Sequence, residues 1–279
     1  MDIRKLNADD FGLVDAMDTG IEEAYIVRIF PRLTEGNNHM YGLFIDNKLA
    51  IICGFTIFKK KYAMLGRLRS DRSFRGKNLA TTLNEFLIKE ALQMDGVNWV
   101  GANTQEDNIP AQRVLERLGL KQQTALHGAV TNDLDAMISS GPLWKEVTDI
   151  KKKQIFVDET LIKHKMIFPY QCYYPFPSSK ELFSGELDQW QFFVNQENSR
   201  FFIIKPDQKK YHYCHVVYPF DDLHMQEGLW ETVKVEFEKM QNELDAEVFV
   251  WIDLTKAKTQ KLPPNHTFTL PPAWVLYSI

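Results

Sequence analysis

The residues best equipped for chemistry lie in one stretch, Ser70-Asp71-Arg72-Ser73-Phe74-Arg75-Gly76-Lys77-Asn78-Leu79-Ala80-Thr81, between a strand-like and a helix-like segment. A basic loop that opens a helix aims unpaired backbone N–H groups and the positive end of the helix dipole at one point, which makes a site for an anion. Gly76 lets a phosphate approach the main chain, and Asn78 is one of the few non-glycine types that accept a left-handed conformation. Arg72, Arg75 and Lys77 add charge that a pyrophosphate can use. The same composition also serves as a solvated turn that caps a helix. The patterns G-x-x-x-x-G-K-[ST] and G-x-G-x-x-G do not occur, so neither a P-loop nor a dinucleotide fold explains the loop. Downstream, the stretch from Asn108 to Leu120 reads as a well-bounded helix, with Asn108 as N-cap, Pro110 in the first turn and Gly119 just past the end.

Together these two stretches resemble the GNAT superfamily of N-acetyltransferases. Arg75-Gly76-Lys77-Asn78-Leu79-Ala80 is similar to the family's acetyl-CoA loop, [QR]-x-x-G-x-[GA], with Asn78 where the family has glycine. Asn108-Ile109-Pro110-Ala111 through Gly119-Leu120 resembles the downstream N-x-x-A segment, in the right order and at the right separation. The resemblance covers residues 1–140, about half of the chain. It implies an α+β fold with a central, splayed, mostly antiparallel sheet that opens between its fourth and fifth strands to admit acetyl-CoA. Carried over, the main chain of Leu68, Arg69 and Ser70 binds the pantetheine arm and helps polarise the thioester carbonyl. Arg75, Gly76, Lys77, Asn78, Leu79, Ala80 and Thr81 hold the pyrophosphate, and Asn108 lies near the cofactor arm. The implied reaction is direct transfer of an acetyl group from acetyl-CoA to a primary amine of a small molecule or peptide.

Such a transfer needs a neutral amine, a stabilised oxyanion and, where available, a proton for the leaving thiolate. Here the sequence departs from the family. The position of the frequent tyrosine acid is Leu115, and that of an occasional glutamate on the fifth strand is Asn103. Glu22, Glu23, Glu106 with Asp107, and His127 remain as candidates, each equally readable as a surface charge, and proximity alone supplies much of the rate. The loss of both family positions keeps a second reading open, a non-catalytic acetyl-CoA-binding module used for sensing or assembly.

The elements that must position these residues are legible from periodicity. Strand-like runs at 41–45, 49–58 and 62–70 form an antiparallel meander. Leu79, Leu83, Phe86, Leu87, Ala91 and Met94 recur at helical spacing and predict a helix over 79–94. Helices are also expected near 8–17, at 20–30 ending at Pro31, and at 109–118, with strands at 97–103 and 120–130. The second half repeats this order, with strands at 190–195, 200–205 and 211–218, a helix over 229–244 and a strand at 247–254. A diverged internal duplication is therefore expected, with domains at 1–145 and 146–279, the latter a smaller, degenerate GNAT-like unit. The stretch matching the cofactor loop there, Pro219–Gly228, holds Asp221, Asp222 and Glu227 and no Arg or Lys, so it should repel a pyrophosphate. His212, Cys214 and His215 alternate across a strand and cannot converge on one ion, so no metal site is expected.

Composition sets the outer bounds. In 279 residues, 44% are hydrophobic and 25% charged, which fits a folded globular protein. The longest apolar run, Leu49–Phe58, is too short for a membrane helix, and the N-terminus lacks a secretory pattern, so a cytoplasmic protein is expected. A net charge of -4 gives no general attraction for nucleic acid. Cys53, Cys172 and Cys214 sit in apolar or aromatic surroundings and read as buried thiols.

Overall fold

The computed structural model describes residues 1–21 and 25–279. They form two compact units, Met1–Gln123 with Val275–Ile279, and Thr124–Trp274. The chain is thus not partitioned at 145: residues 124–145 lie with the second unit and Val275–Ile279 with the first. The reason is strand pairing, which periodicity does not report.

The first unit contains β1 (Asp2–Lys5), α1 (Phe11–Asp15), α2 (Tyr25–Leu33), β2 (Asn38–Ile45), β3 (Lys48–Phe58), β4 (Tyr62–Ser70), α3 (Leu79–Gln93), β5 (Trp99–Gln105) and α4 (Ile109–Arg117). β1 to β4 are antiparallel neighbours. Asp46 and Asn47, both at positive φ, make the two-residue β2–β3 turn, a conformation that Asp and Asn tolerate. The α3 crossover brings β5 in parallel to β4. Beyond β5 the sheet continues with the C-terminal strand Trp274–Ser278, where Ile279 donates its N–H to the Val100 carbonyl. Leu83, Leu87, Ile88 and Ala91 bury one stripe of α3, and Ile26, Phe30 and Leu33 of α2 pack with Leu6, Met40 and Ile52. That packing carries α2 two residues past Pro31, where the sequence predicted its end. Pro31 gives up the hydrogen bond to the Val27 carbonyl, a cost that the burial of Phe30 and Leu33 on either side offsets.

The second unit holds most of β6 (Lys121–Thr131), then β7 (Lys145–Glu146), α5 (Ile150–Phe156), the hairpin β8 (Ile167–Gln171) and β9 (Tyr174–Pro177), and α6 (Lys180–Phe183). It continues with β10 (Gln191–Val194), β11 (Phe201–Gln208), β12 (His212–Val217), α7 (Leu229–Glu243), β13 (Val248–Leu254) and α8 (Lys256–Thr259), and the C-terminal strand becomes β14. Its sheet runs β6-β13-β12-β11-β10-β7, with only the β12–β13 pair parallel. The order three antiparallel strands, helix, parallel strand thus occurs in both units, as the sequence predicts. α3 and α7 both have 15 residues, and both follow a left-handed residue, Asn78 or Gly228. No helix among the described residues is long and apolar enough to cross a membrane.

Candidate cofactor cleft

The ladder between β4 and β5 runs from Tyr62↔Trp99 to Leu65↔Ala102 and stops. Beyond it, Gly66–Ser70 continues against β3, and β5 continues to Gln105. Opposite Cys53 the β3–β4 register jumps from Gly54↔Gly66 to Ile52↔Arg69, and Arg67 takes a φ of 62°. This bulge bends the half-buried end of β4 and leaves a strand edge against which an extended, amide-bearing ligand can add as a further strand. Leu68, Arg69 and Ser70 lie on that stretch. The Arg69 side chain donates from Nη1 to the Leu68 carbonyl at 2.8 Å, while its Nε is buried with no hydrogen-bond partner among the described residues. Beneath the strand, burial pushes the Cys53 thiol up to about 12, so it is no nucleophile.

At the end of β4, Asp71 accepts hydrogen bonds from the N–H and hydroxyl of Ser73 and starts one tight turn over Arg72–Phe74. The chain then passes through Gly76 at φ 78° and Asn78 at φ 59° into α3. No side chain caps this helix, no acidic residue occupies its first turn, and the Asn78 side chain instead accepts from the Thr81 hydroxyl at 2.9 Å. The start of this fifteen-residue helix thus presents unpaired backbone N–H groups of the kind that can receive an anion. The ideal Cβ position of Gly76 meets nothing within 4 Å, so the space above the loop is open.

The three loop cations are placed less simply than the sequence suggests. Arg75 donates from Nη2 to the Thr19 carbonyl at 2.7 Å, and Arg72 lies 3.6 Å from the Asp18 carboxylate. The Arg72 N–H also donates to the Asp18 carbonyl, and the Asp18 N–H to the Asp71 carboxylate. Residues 18–20, from the connection between α1 and α2, are thereby latched to the loop, a contact that sequence reasoning missed. Its one signal is Gly20, at φ 70°, where any side chain would collide with the Arg72 guanidinium. Lys77 stands 5.1 Å from the Phe74 ring centre.

After β5, Asn108 caps α4 by accepting from the Ala111 N–H at 3.3 Å, and Gly119 ends it at φ 82°. Leu115 is buried in the unit. The Tyr277 hydroxyl reaches the same helix, 3.3 Å from both Gln112 Oε1 and Glu116 Oε1. Burial first, then Glu116, pushes that phenol above its ordinary range. Of the acid–base candidates, Glu106 is exposed beside Asn108, and its carbonyl accepts from Gln112 Nε2 at 2.7 Å. His127 belongs to the second unit, where its Nδ1 donates to the Pro271 carbonyl at 3.0 Å. Glu22 and Glu23 lie outside the described residues.

Compared with known families, residues 2–120 match the sequence model described as Acetyltransferase (GNAT) family. The match is to a GNAT acetyltransferase domain and spans less than half of the chain. The family that this model describes is one of acyltransferases. Two solved structures resemble the chain over its full length at 13% identity. One is an assigned acetyltransferase from Thermoplasma acidophilum, with 99% of that chain covered and a TM-score of 0.55. The other is a GCN5-related N-acetyltransferase from Sphaerobacter thermophilus, with 95% covered and a TM-score of 0.57. At such identity the likeness is one of fold. No curated protein sequence matches the chain.

The second unit repeats the order of strands and helix of the first but not its unpaired strand end. β12 and β13 stay paired from His212↔Val248 to Val216↔Ile252, and β12 ends at Val217, so the unpaired strand end is lost. At the start of α7, Glu231 accepts from the N–H and hydroxyl of Ser139 and from the Gly141 N–H, at 2.7, 2.9 and 3.0 Å. Gly228 and the segment 141–142 touch so closely that a Cβ on either glycine would collide with the other chain segment. Chain from the same unit thus packs where α3 of the GNAT domain has open space.

The His212–His215 stretch behaves as its alternation predicts, with Cys214 in the core cluster and His215 elsewhere. His215 instead joins a buried network that the sequence does not announce. The Lys205 ammonium donates to the carbonyls of Pro169 and Tyr170 and to His215 Nδ1, at 2.8, 2.7 and 2.9 Å, and His215 Nε2 donates to Asp253 at 2.9 Å. Cys172, Asp207 and His215 bring one ligand atom each within 4.8 Å. The lysine is itself the cation of this cluster, and its three N–H bonds are all used.

Proposed function

We propose that the first unit is an acetyl-CoA-dependent N-acetyltransferase acting on a primary amine of a small molecule or peptide. The observation that carries this reading is the pairing of an uncapped helix start behind Gly76 and Asn78 with a β4 end that has left the β5 ladder. Residues 75–81 hold the pyrophosphate by main-chain N–H groups. Leu68, Arg69 and Ser70 take the pantetheine amides, and Asn108 stands beside the arm. The neutral amine attacks the acetyl carbon, the C–N bond forms, the C–S bond breaks, and the proton released from nitrogen ends, directly or through water, on the departing thiolate. No side chain is assigned as base, and orientation of the two reactants supplies the main rate advantage.

The second unit, a GNAT-like repeat, binds no acetyl-CoA at α7 in this reading and acts as scaffold, because Glu231 and residues 139–142 occupy that helix start. Metal has no assigned part. Three buried, unbridged cysteines fit a reducing, cytoplasmic setting.

Titration calorimetry with acetyl-CoA is expected to show one site per chain and a raised Tm, as for any ligand selective for the folded state. Gly76→Glu is expected to abolish the heat while leaving the circular dichroism unchanged, because it places bulk and negative charge in the open space over the loop. No heat at millimolar acetyl-CoA would refute the assignment. Leu115 in place of the family's tyrosine favours a second reading, a non-catalytic acetyl-CoA-binding module. Release of free CoA thiol with a panel of amines separates the two, since a binding module gives heat and no thiol.

A further inference from the structure

The second unit contains a cavity of about 600 Å³, the size of small-molecule sites in general. Its walls include Met137, Ile138, Leu223, Trp230 and Leu262, all apolar, and two lysines, Lys258 and Lys261. Trp230 is only 4% exposed and is braced by Phe268 at 5.5 Å between ring centres, so that wall is rigid. The Lys258 side chain is 13% exposed, and its ion-pair partner among the described residues is Asp221, 3.5 Å away and itself 94% exposed. A carboxylate so hydrated does little for an ammonium drawn out of water. Burial accordingly pushes the Lys258 pKa down. Lys258 is set by α8, where the Thr255 hydroxyl accepts its backbone N–H.

The surroundings limit what the cavity accepts. A cationic ligand meets the ammonium directly. A dianion meets Asp221 and Glu227 at the walls, and Lys261 is turned to the Asp221 carbonyl at 3.4 Å. We propose that this cavity binds an organic monocarboxylate with an aromatic or branched aliphatic body, its carboxylate on Lys258 Nζ and its apolar part against Trp230 and Leu262. A carboxylate there gives the ammonium the short, charge-assisted hydrogen bond that Asp221 does not supply. The site lies wholly within the unit that carries no cofactor cleft, and it does not depend on the transferase assignment.

The test uses the full chain and 2-naphthoic acid as probe, with 2-naphthalenemethanol as neutral analogue and 2-naphthylmethylamine as cationic analogue, each followed by saturation-transfer NMR and calorimetry. The acid is expected to bind with a Kd below about 1 mM and at least about tenfold more tightly than either analogue. Lys258→Gln, checked for an unchanged fold by circular dichroism, should reduce the acid to the level of the alcohol. Leu262→Trp, which fills the cavity, should abolish binding of both. Equal binding of acid and alcohol by the unaltered protein, full acid binding by Lys258→Gln, or no binding of the acid up to about 10 mM would each overturn the proposal.

Discussion

Single residues decide how the loop works. Gly76, at φ 78°, stands in the region where a side chain costs roughly 1–2 kcal/mol. Gly76→Ala should therefore lower stability by about that amount and weaken acetyl-CoA more than tenfold, read by denaturant unfolding and calorimetry. Leu115 carries no proton. With nothing in its place the pH profile of turnover should have one ascending limb, from deprotonation of the amine, and Leu115→Ala should keep that shape. A descending limb would reveal an acid elsewhere, and Tyr277, whose hydroxyl already touches α4, is the first residue to replace with phenylalanine. A third expectation concerns Lys205, which burial pushes down to about 8 from its ordinary 10.5. Between these values the unfolded chain holds a proton there that the folded chain releases, so this group's stabilisation is full above about 10.5 and is lost as pH falls through about 8. The unfolding free energy should rise between pH 8 and pH 10 in the parent and stay flatter in Lys205→Met over that window. Equal slopes would show that the lysine is not depressed. The loop residues were legible in the sequence because their types and order carry the chemistry. The Lys205 network was not, because its members come from β8, β11, β12 and β13 and meet only through the sheet register.

Elements were legible where periodicity speaks and illegible where pairing does. The stripe Leu83, Leu87, Ala91 announced α3, and strand-like runs bounded by polar turns announced β2 to β4 and β10 to β12. Where the β4–β5 ladder stops is a property of two strands at once, and no single-strand pattern holds it. The same applies to the segment packed on α7: the contact between residues 141–142 and Gly228 explains why neither Gly141 nor Gly228 has room for a side chain. Gly228→Ala combines a left-handed φ of 75° with a collision against the Pro142 carbonyl, and it should cost more than about 3 kcal/mol in urea unfolding. An unchanged midpoint would show that the segment does not rest on the helix as described. At α4 the cost is smaller. Asn108→Ala removes one cap and should lower stability by about 1 kcal/mol, with a loss of acetyl-CoA affinity beyond that if Asn108 also faces the cofactor arm.

At the scale of the whole chain, sequence position and structural membership part company. The family match ends at residue 120, yet the first unit includes Val275–Ile279, and Tyr277 is among its most deeply buried side chains. Deleting Val275–Ile279 should therefore abolish acetyl-CoA binding although every residue of the matched domain is retained. A truncated chain that binds as tightly as the full one would show the strand to be dispensable. The same membership has a consequence for synthesis. A domain encoded in one continuous block can mature while the rest of the chain is still being made. Here the strand that lies beyond β5 is translated only after Thr124–Trp274 has passed the peptidyl-transferase centre. A ribosome that stalls within the second unit releases a chain with a complete cofactor loop and an open sheet edge, which quality-control proteases can recognise. Complete translation thus becomes a precondition for a finished cofactor domain.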